Sequence, residues 1–225
     1  LGYDPTLDDA RIAALVGQRF PGVDGVRLLA AWQHASLIYP LVTGFHWADF
    51  DFQWYIEACR SRPGPARTAS GFHSVETFIT QKVHPGTDNI PIPAFVAAVS
   101  RGERIAGTAP PEVAKRIDTR ADAALSALPA LERGGAARNP GLAATLGDIR
   151  RMALLGKYYA AKIRGATELA LYRDTKQAER QREAIAQLER AAAFWAQYIT
   201  SAQQAYKNPL WTNRVGFVDW HELDQ

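Results

Sequence analysis

Between Gly44 and Glu57 the chain reads Gly-Phe-His-Trp-Ala-Asp-Phe-Asp-Phe-Gln-Trp-Tyr-Ile-Glu. Rings and carboxylates alternate there, where an ordinary core helix would carry Leu, Ile and Ala. Flat rings stack on the CH faces of a pyranose, and carboxylates accept hydrogen bonds from its hydroxyl rim. The candidate substrate-binding residues are therefore Trp47 and Trp54 for stacking, with His46, Asp49 and Asp51 for hydroxyls. His73 and Glu76, three residues apart, share a face if their segment is helical, and they join the same candidate mouth. The competing reading is a core-forming loop with its rings buried and its acids turned outward, because aromatic residues also dominate ordinary cores.

Catalysis within the chain would need two acids about 5 to 10 Å apart across a sugar. Asp49, Asp51 and Glu57 are the residues able to form such a pair, so a stand-alone all-α carbohydrate-active enzyme is a second reading. Catalytic residues are left unassigned. The single cysteine, Cys59, precedes Arg60 but sits in no cysteine-hydrolase signature, and a buried structural thiol suits it better. No Gly-x-Ser-x-Gly elbow or phosphate-cradling glycine loop occurs. The five histidines lack the i, i+4 pairing of a helical zinc site, and His73–Glu76 reverses the Glu-x-x-His order of di-iron bundles. The expectation is no metal and no cofactor.

The elements that must position these residues read as helices. Thr6 to Asp9 resembles a capping box, and Ile12, Leu15, Val16 and Phe20 follow at helical spacing until Pro21-Gly22. A second helix carries Val26, Leu29, Ala30, Gln33 and Leu37, with Pro40 as its stop. A loop-rich insert of about 40–110 holds the aromatic segment, with short helices expected near Phe52–Cys59, His73–Ile79 and Phe95–Ser100. Pro110-Pro111 opens a further helix that runs through Leu128. Two long helices then form a hairpin over about 142–206, turning at Asp174-Thr175. The first bears a seam of Leu142, Leu146, Ile149, Ala153, Gly156, Ala160, Ile163, Thr167 and Ala170. Its small middle invites close approach by a partner, the last helix first and a second copy of the chain as the alternative. A tail of about 208–225 is aromatic and irregular or extended. No stretch alternates as a strand. The fold class is all-α: one helical domain over 1–225, built on about five main helices.

Composition limits the partners. The 225 residues suffice for one real core, and 47% hydrophobic with 22% charged residues is globular composition. The net charge of +3 is small, and basic residues alternate with acids, as in Glu179-Arg180-Gln181-Arg182-Glu183, which is a solvated helix face. Neither nucleic acid nor membrane is an expected partner, since no apolar run reaches the roughly eighteen residues of a span.

The opening Leu1-Gly2-Tyr3-Asp4-Pro5-Thr6-Leu7-Asp8-Asp9-Ala10-Arg11-Ile12 resembles the exit from the catalytic barrel in large glycoside hydrolases of the alpha-glucuronidase and hexosaminidase kind. There a segment like G-R-L-x-Y/W-D-P-x-L leads into a C-terminal helical domain. Tyr158 to Ala166 and Trp211 to Trp220 are similar to the later parts of such proteins. The resemblance implies a chain cut from a longer protein, an upstream barrel as partner, carbohydrate as ligand and a secreted or periplasmic setting. Barrel enzymes carry their catalytic groups at strand ends. The resemblance therefore implies an accessory domain that is non-catalytic by itself. A helical interaction or dimerisation module is the third reading.

Overall fold

The computed structural model of this chain describes residues 7–46, 75–133 and 139–208, together with the backbone of 210–212 and 216–218. The fold is all-α. The five long helices expected are α1 (Asp9–Arg19), α2 (Gly25–Ser36), α6 (Pro110–Arg133), α7 (Pro140–Thr175) and α8 (Ala178–Ala205). Three shorter ones, α3 (Ile38–Phe45), α4 (Val75–Thr80) and α5 (Ile92–Arg101), belong to the segment expected to be loop-rich. The expected helix at Phe52–Cys59 lies outside the described residues.

Local chemistry sets the helix ends. Asp8, rather than Thr6, caps α1 by accepting from the Arg11 amide. Asp24 caps α2 in the same way, and Asn139 caps α7 with Pro140 in the first turn behind it. Gly102 ends α5 in the left-handed region at φ 63°. Pro40 departs from the expectation of a stop. It ends no helix but occupies the first turn of α3, where the missing N–H has no partner to lose.

α7 is the centre of the bundle. It packs against α2, α3, α4, α5, α6 and α8, and its middle is buried on every side from Ala153 to Ile163, apart from Lys157. α8 lies along it as the second arm of a hairpin whose turn falls at Lys176-Gln177, two residues later than expected. Arg180 holds both Glu168 oxygens across that hairpin, at 3.0 and 2.9 Å. At Gly156 the small-residue seam is filled from within, by α3 and α6. A β-carbon on Gly156 would stand 2.9 Å from the Ile38 side chain of α3 and 3.2 Å from that of Ala121 on α6. The glycine that meets α8 is Gly165, against Leu188.

The tail is extended where it is described, and it carries a strand pair that no alternation in the sequence announced. Leu210–Thr212 (β1) and Gly216–Val218 (β2) pair antiparallel, Leu210 opposite Val218 and Trp211 opposite Phe217. Three residues per strand are too few for alternation to show in a sequence.

Asp118 of α6 joins two cations of α7, Lys157 and Arg164, with Arg164 at 2.9 Å, while Lys157 also reaches Asp122 at 2.8 Å. Burial alone would push the Asp118 carboxyl up, but the hydrogen bonds and charges of Lys157 and Arg164 outweigh it and hold the group below its ordinary range. A carboxyl depressed in this way stabilises the fold above its unfolded pKa of about 4 and loses that contribution as pH falls through the folded value. Asp118→Asn is expected to cost about 2 kcal/mol at neutral pH, less than a fully buried pair because Lys157 keeps Asp122. Urea unfolding at pH 7 and pH 3 checks this. The gap between variant and parent should be clearly smaller at pH 3 than at pH 7, and an equal gap at both would refute the assignment.

Candidate functional site

α3 ends at Phe45, and its C-cap His46 donates its amide to the Val42 carbonyl. The chain is described again from Val75, where α4 begins. These two points meet in space. The His46 ring stacks on Phe78 of α4 with centroids 4.1 Å apart and planes 11° from parallel. Both rings are buried.

From that stack a run of rings crosses the bundle. Phe78 stacks at 6.0 Å on Tyr159, Tyr159 meets Tyr158 edge-on at 4.8 Å, and Tyr158 lies 5.0 Å from Trp195, which is 5.3 Å from Tyr198. Helical geometry makes this order. Tyr158 and Lys162 stand four apart on one face of α7, and Trp195 and Tyr198 stand three apart on the facing side of α8. Lys162, only 9% exposed, is held within the run. Its ammonium lies 4.5 Å above Phe78 and 5.1 Å above Tyr158, and it donates to the Tyr158 hydroxyl at 2.7 Å. Ring faces stabilise a cation in this way.

Glu76, also on α4, behaves differently. It is exposed, and both of its oxygens are taken by the Arg173 guanidinium of α7, one of them at 2.8 Å. The Arg173 hydrogen bonds hold its carboxyl below the usual range, so it is ionised at neutral pH and unsuited to proton donation. Beside these residues, loop 81–91 is fastened to the end of α3. The Gly44 carbonyl accepts from the His84 amide at 3.0 Å, and the Asp88 carboxylate accepts from the Thr108 hydroxyl at 2.9 Å.

Of the residues named from sequence, the structure thus places His46 under Phe78 and Glu76 on Arg173. Trp47, Asp49, Asp51, Trp54 and His73 lie outside the described residues, as does Glu57. Sequence reasoning missed Phe78, Tyr158, Lys162 and Tyr198 as members of one cluster. The Tyr158–Lys162 spacing was the available signal. Among the described residues no group of three or more His, Cys, Asp or Glu side chains is placed to hold a metal. None of the described helices is long and apolar enough to cross a membrane. Chemically, the ring run is a platform with one embedded cation, and it takes in His46, near the start of the aromatic, acidic segment.

No family model matches the chain, and no curated protein matches it in sequence. A solved structure does match its fold. A GH138 enzyme targeting pectin rhamnogalacturonan II is similar over 90% of this chain, with a TM-score of 0.71 and 13% identity. The bundle shares the helical architecture of a part of that enzyme. At that identity the likeness is one of architecture alone. The chain spans 23% of the length of that enzyme.

Proposed function

We propose that this chain is the accessory helical domain of a polysaccharide-degrading glycoside hydrolase, standing beside a catalytic barrel carried by the same polypeptide. The observation that carries the reading is the fold match, which covers nine-tenths of this chain but under a quarter of a pectin-directed enzyme. The opening Leu1–Ile12 motif adds the narrower assignment to the alpha-glucuronidase and hexosaminidase kind. In this role the domain contributes sugar recognition rather than bond cleavage. Trp47 and Trp54 stack on a sugar ring, and Asp49 and Asp51 bind its hydroxyls. His46, His73 and Glu76 complete the proposed substrate-binding set.

Calorimetric titration of the intact polypeptide against xylan and uronic-acid oligosaccharides tests the proposal. Trp47→Ala and Trp54→Ala are each expected to weaken binding about tenfold or more, in line with an aromatic contact whose removal costs more than about 1.4 kcal/mol. Failure of the intact polypeptide to bind any of these glycans would defeat the sugar-recognition reading.

A further inference from the structure

His46 belongs to the proposed substrate-binding set, yet it is only 8% exposed and its Nδ1 is shielded from solvent. A sugar hydroxyl has no approach to that nitrogen. The residue is instead held from several sides. Its amide donates to the Val42 carbonyl at 2.8 Å, where α3 ends. Its ring lies on Phe78 with the planes 11° from parallel. Phe78 is itself held, with Tyr159 at 6.0 Å and the Lys162 ammonium at 4.5 Å, so it offers His46 a fixed surface. Two residues earlier, the Gly44 carbonyl accepts from the His84 amide at 3.0 Å and from the Thr87 hydroxyl at 3.4 Å, which ties the same stretch of backbone to loop 81–91.

His46 is also where the chain leaves helical geometry, at φ −107° and ψ 90°. The next residue is Trp47, whose α-carbon stands one peptide length away, about 3.8 Å. Fixing the amide and ring of His46 therefore fixes the point from which the proposed stacking residue departs. A binding residue held in place before its ligand arrives avoids part of the ordering cost of association. We infer that His46 is a positioning residue, which anchors Trp47 for sugar stacking through its own stack on Phe78 and makes no sugar contact of its own. This inference rests on the sugar-recognition reading and narrows the part that His46 plays in it.

Calorimetric titration of the intact polypeptide with xylan and uronic-acid oligosaccharides tests it, at a temperature where circular dichroism shows every variant folded. A loss of stability alone then leaves the affinity unmoved. His46→Ala removes the stack and should weaken binding about tenfold, as Trp47→Ala does. His46→Phe restores a flat ring without either nitrogen, and should recover affinity to within about threefold of the parent. The double variant His46→Ala/Trp47→Ala should bind no more weakly than Trp47→Ala alone, because both changes act on one contact. If His46→Ala does not fold, Phe78→Leu takes its place, since it keeps most of the volume and removes the flat face. His46→Phe as weak as His46→Ala would overturn the inference by giving the ring nitrogens to the sugar, and additive losses in the double variant would do the same. Parental affinity in His46→Ala would overturn it by reducing the stack to a matter of stability. Each of these results leaves sugar recognition standing, whereas a parent that binds none of the glycans ends both readings together.

Discussion

Gly25→Ala is expected to lower the stability of this bundle by about 3 kcal/mol, at the upper end of ordinary overpacking costs. The position opens α2, where alanine would normally be the better helix former by about 1 kcal/mol. Steric contact reverses that preference. A β-carbon at Gly25 would stand 2.2 Å from the Ala13 carbonyl oxygen and 2.9 Å from the Gly17 amide nitrogen, both backbone atoms of α1. No rotamer change relieves a clash with backbone, so α1 and α2 must separate. Separation would strip cover from Ala13, Leu28 and Ala31, all buried in the present packing. Gly17→Ala is the informative partner experiment. The nearest atom to its added carbon is the Gly25 Cα at 4.0 Å, an ordinary distance, so that variant should be neutral or slightly more stable. Chemical denaturation of the two variants side by side decides the matter. Equal stabilities would show that the backbones do not cross as closely as described.

Phe78→Ala should be costlier, about 4 kcal/mol, as for other large-to-small changes at fully buried aromatic positions. Phe78 is 3% exposed and carries three partners at once: the His46 ring, the Tyr159 ring and the Lys162 ammonium. Truncation leaves a void at that junction and removes the ring face under a buried cation. α4 has only six residues, too few to persist without tertiary support. Its remaining attachments include Ile79 in the core, the partly buried Val75 packed against it, and the exposed Glu76–Arg173 pair, which at the surface holds little. Phe78→Leu restores most of the volume and should recover over half of the loss. Thermal unfolding followed by near-ultraviolet circular dichroism reports both the stability and the aromatic packing. A Phe78→Ala protein as stable as the parent would remove the ring run as a structural support.

The long hairpin was legible because its apolar residues keep a three-four spacing across more than sixty positions, and no other element gives that pattern. The direction of its small-residue seam was not. Ala153, Gly156 and Ala160 say that something comes close, but only the position of Ile38 and Ala121 says that α3 and α6 do. Pro40 misled because proline breaks a helix interior and suits a first turn, and the sequence does not announce which of the two it occupies. Around the candidate site, ring density was readable at Phe45 to Tyr55, and the capacity for stacking with it. The junction of Phe78 with Lys162 was invisible, since it joins residues more than eighty positions apart that share no local pattern. Arg173 likewise gave no sign that it would occupy Glu76 across almost one hundred residues.

The position of α7 decides how this protein can come apart. Its thirty-six residues serve as a common wall for six other helices, so no subset of the bundle owns a separate core. Unfolding should therefore be a single all-or-none event in which α7 amides near Ala160 exchange last. Trimming from either end would not yield a smaller working piece. A chain stopped early in α8 bares Tyr158 and Gly165, and one begun after α3 leaves Gly156 without the Ile38 side chain against it. The domain is inherited whole or lost whole.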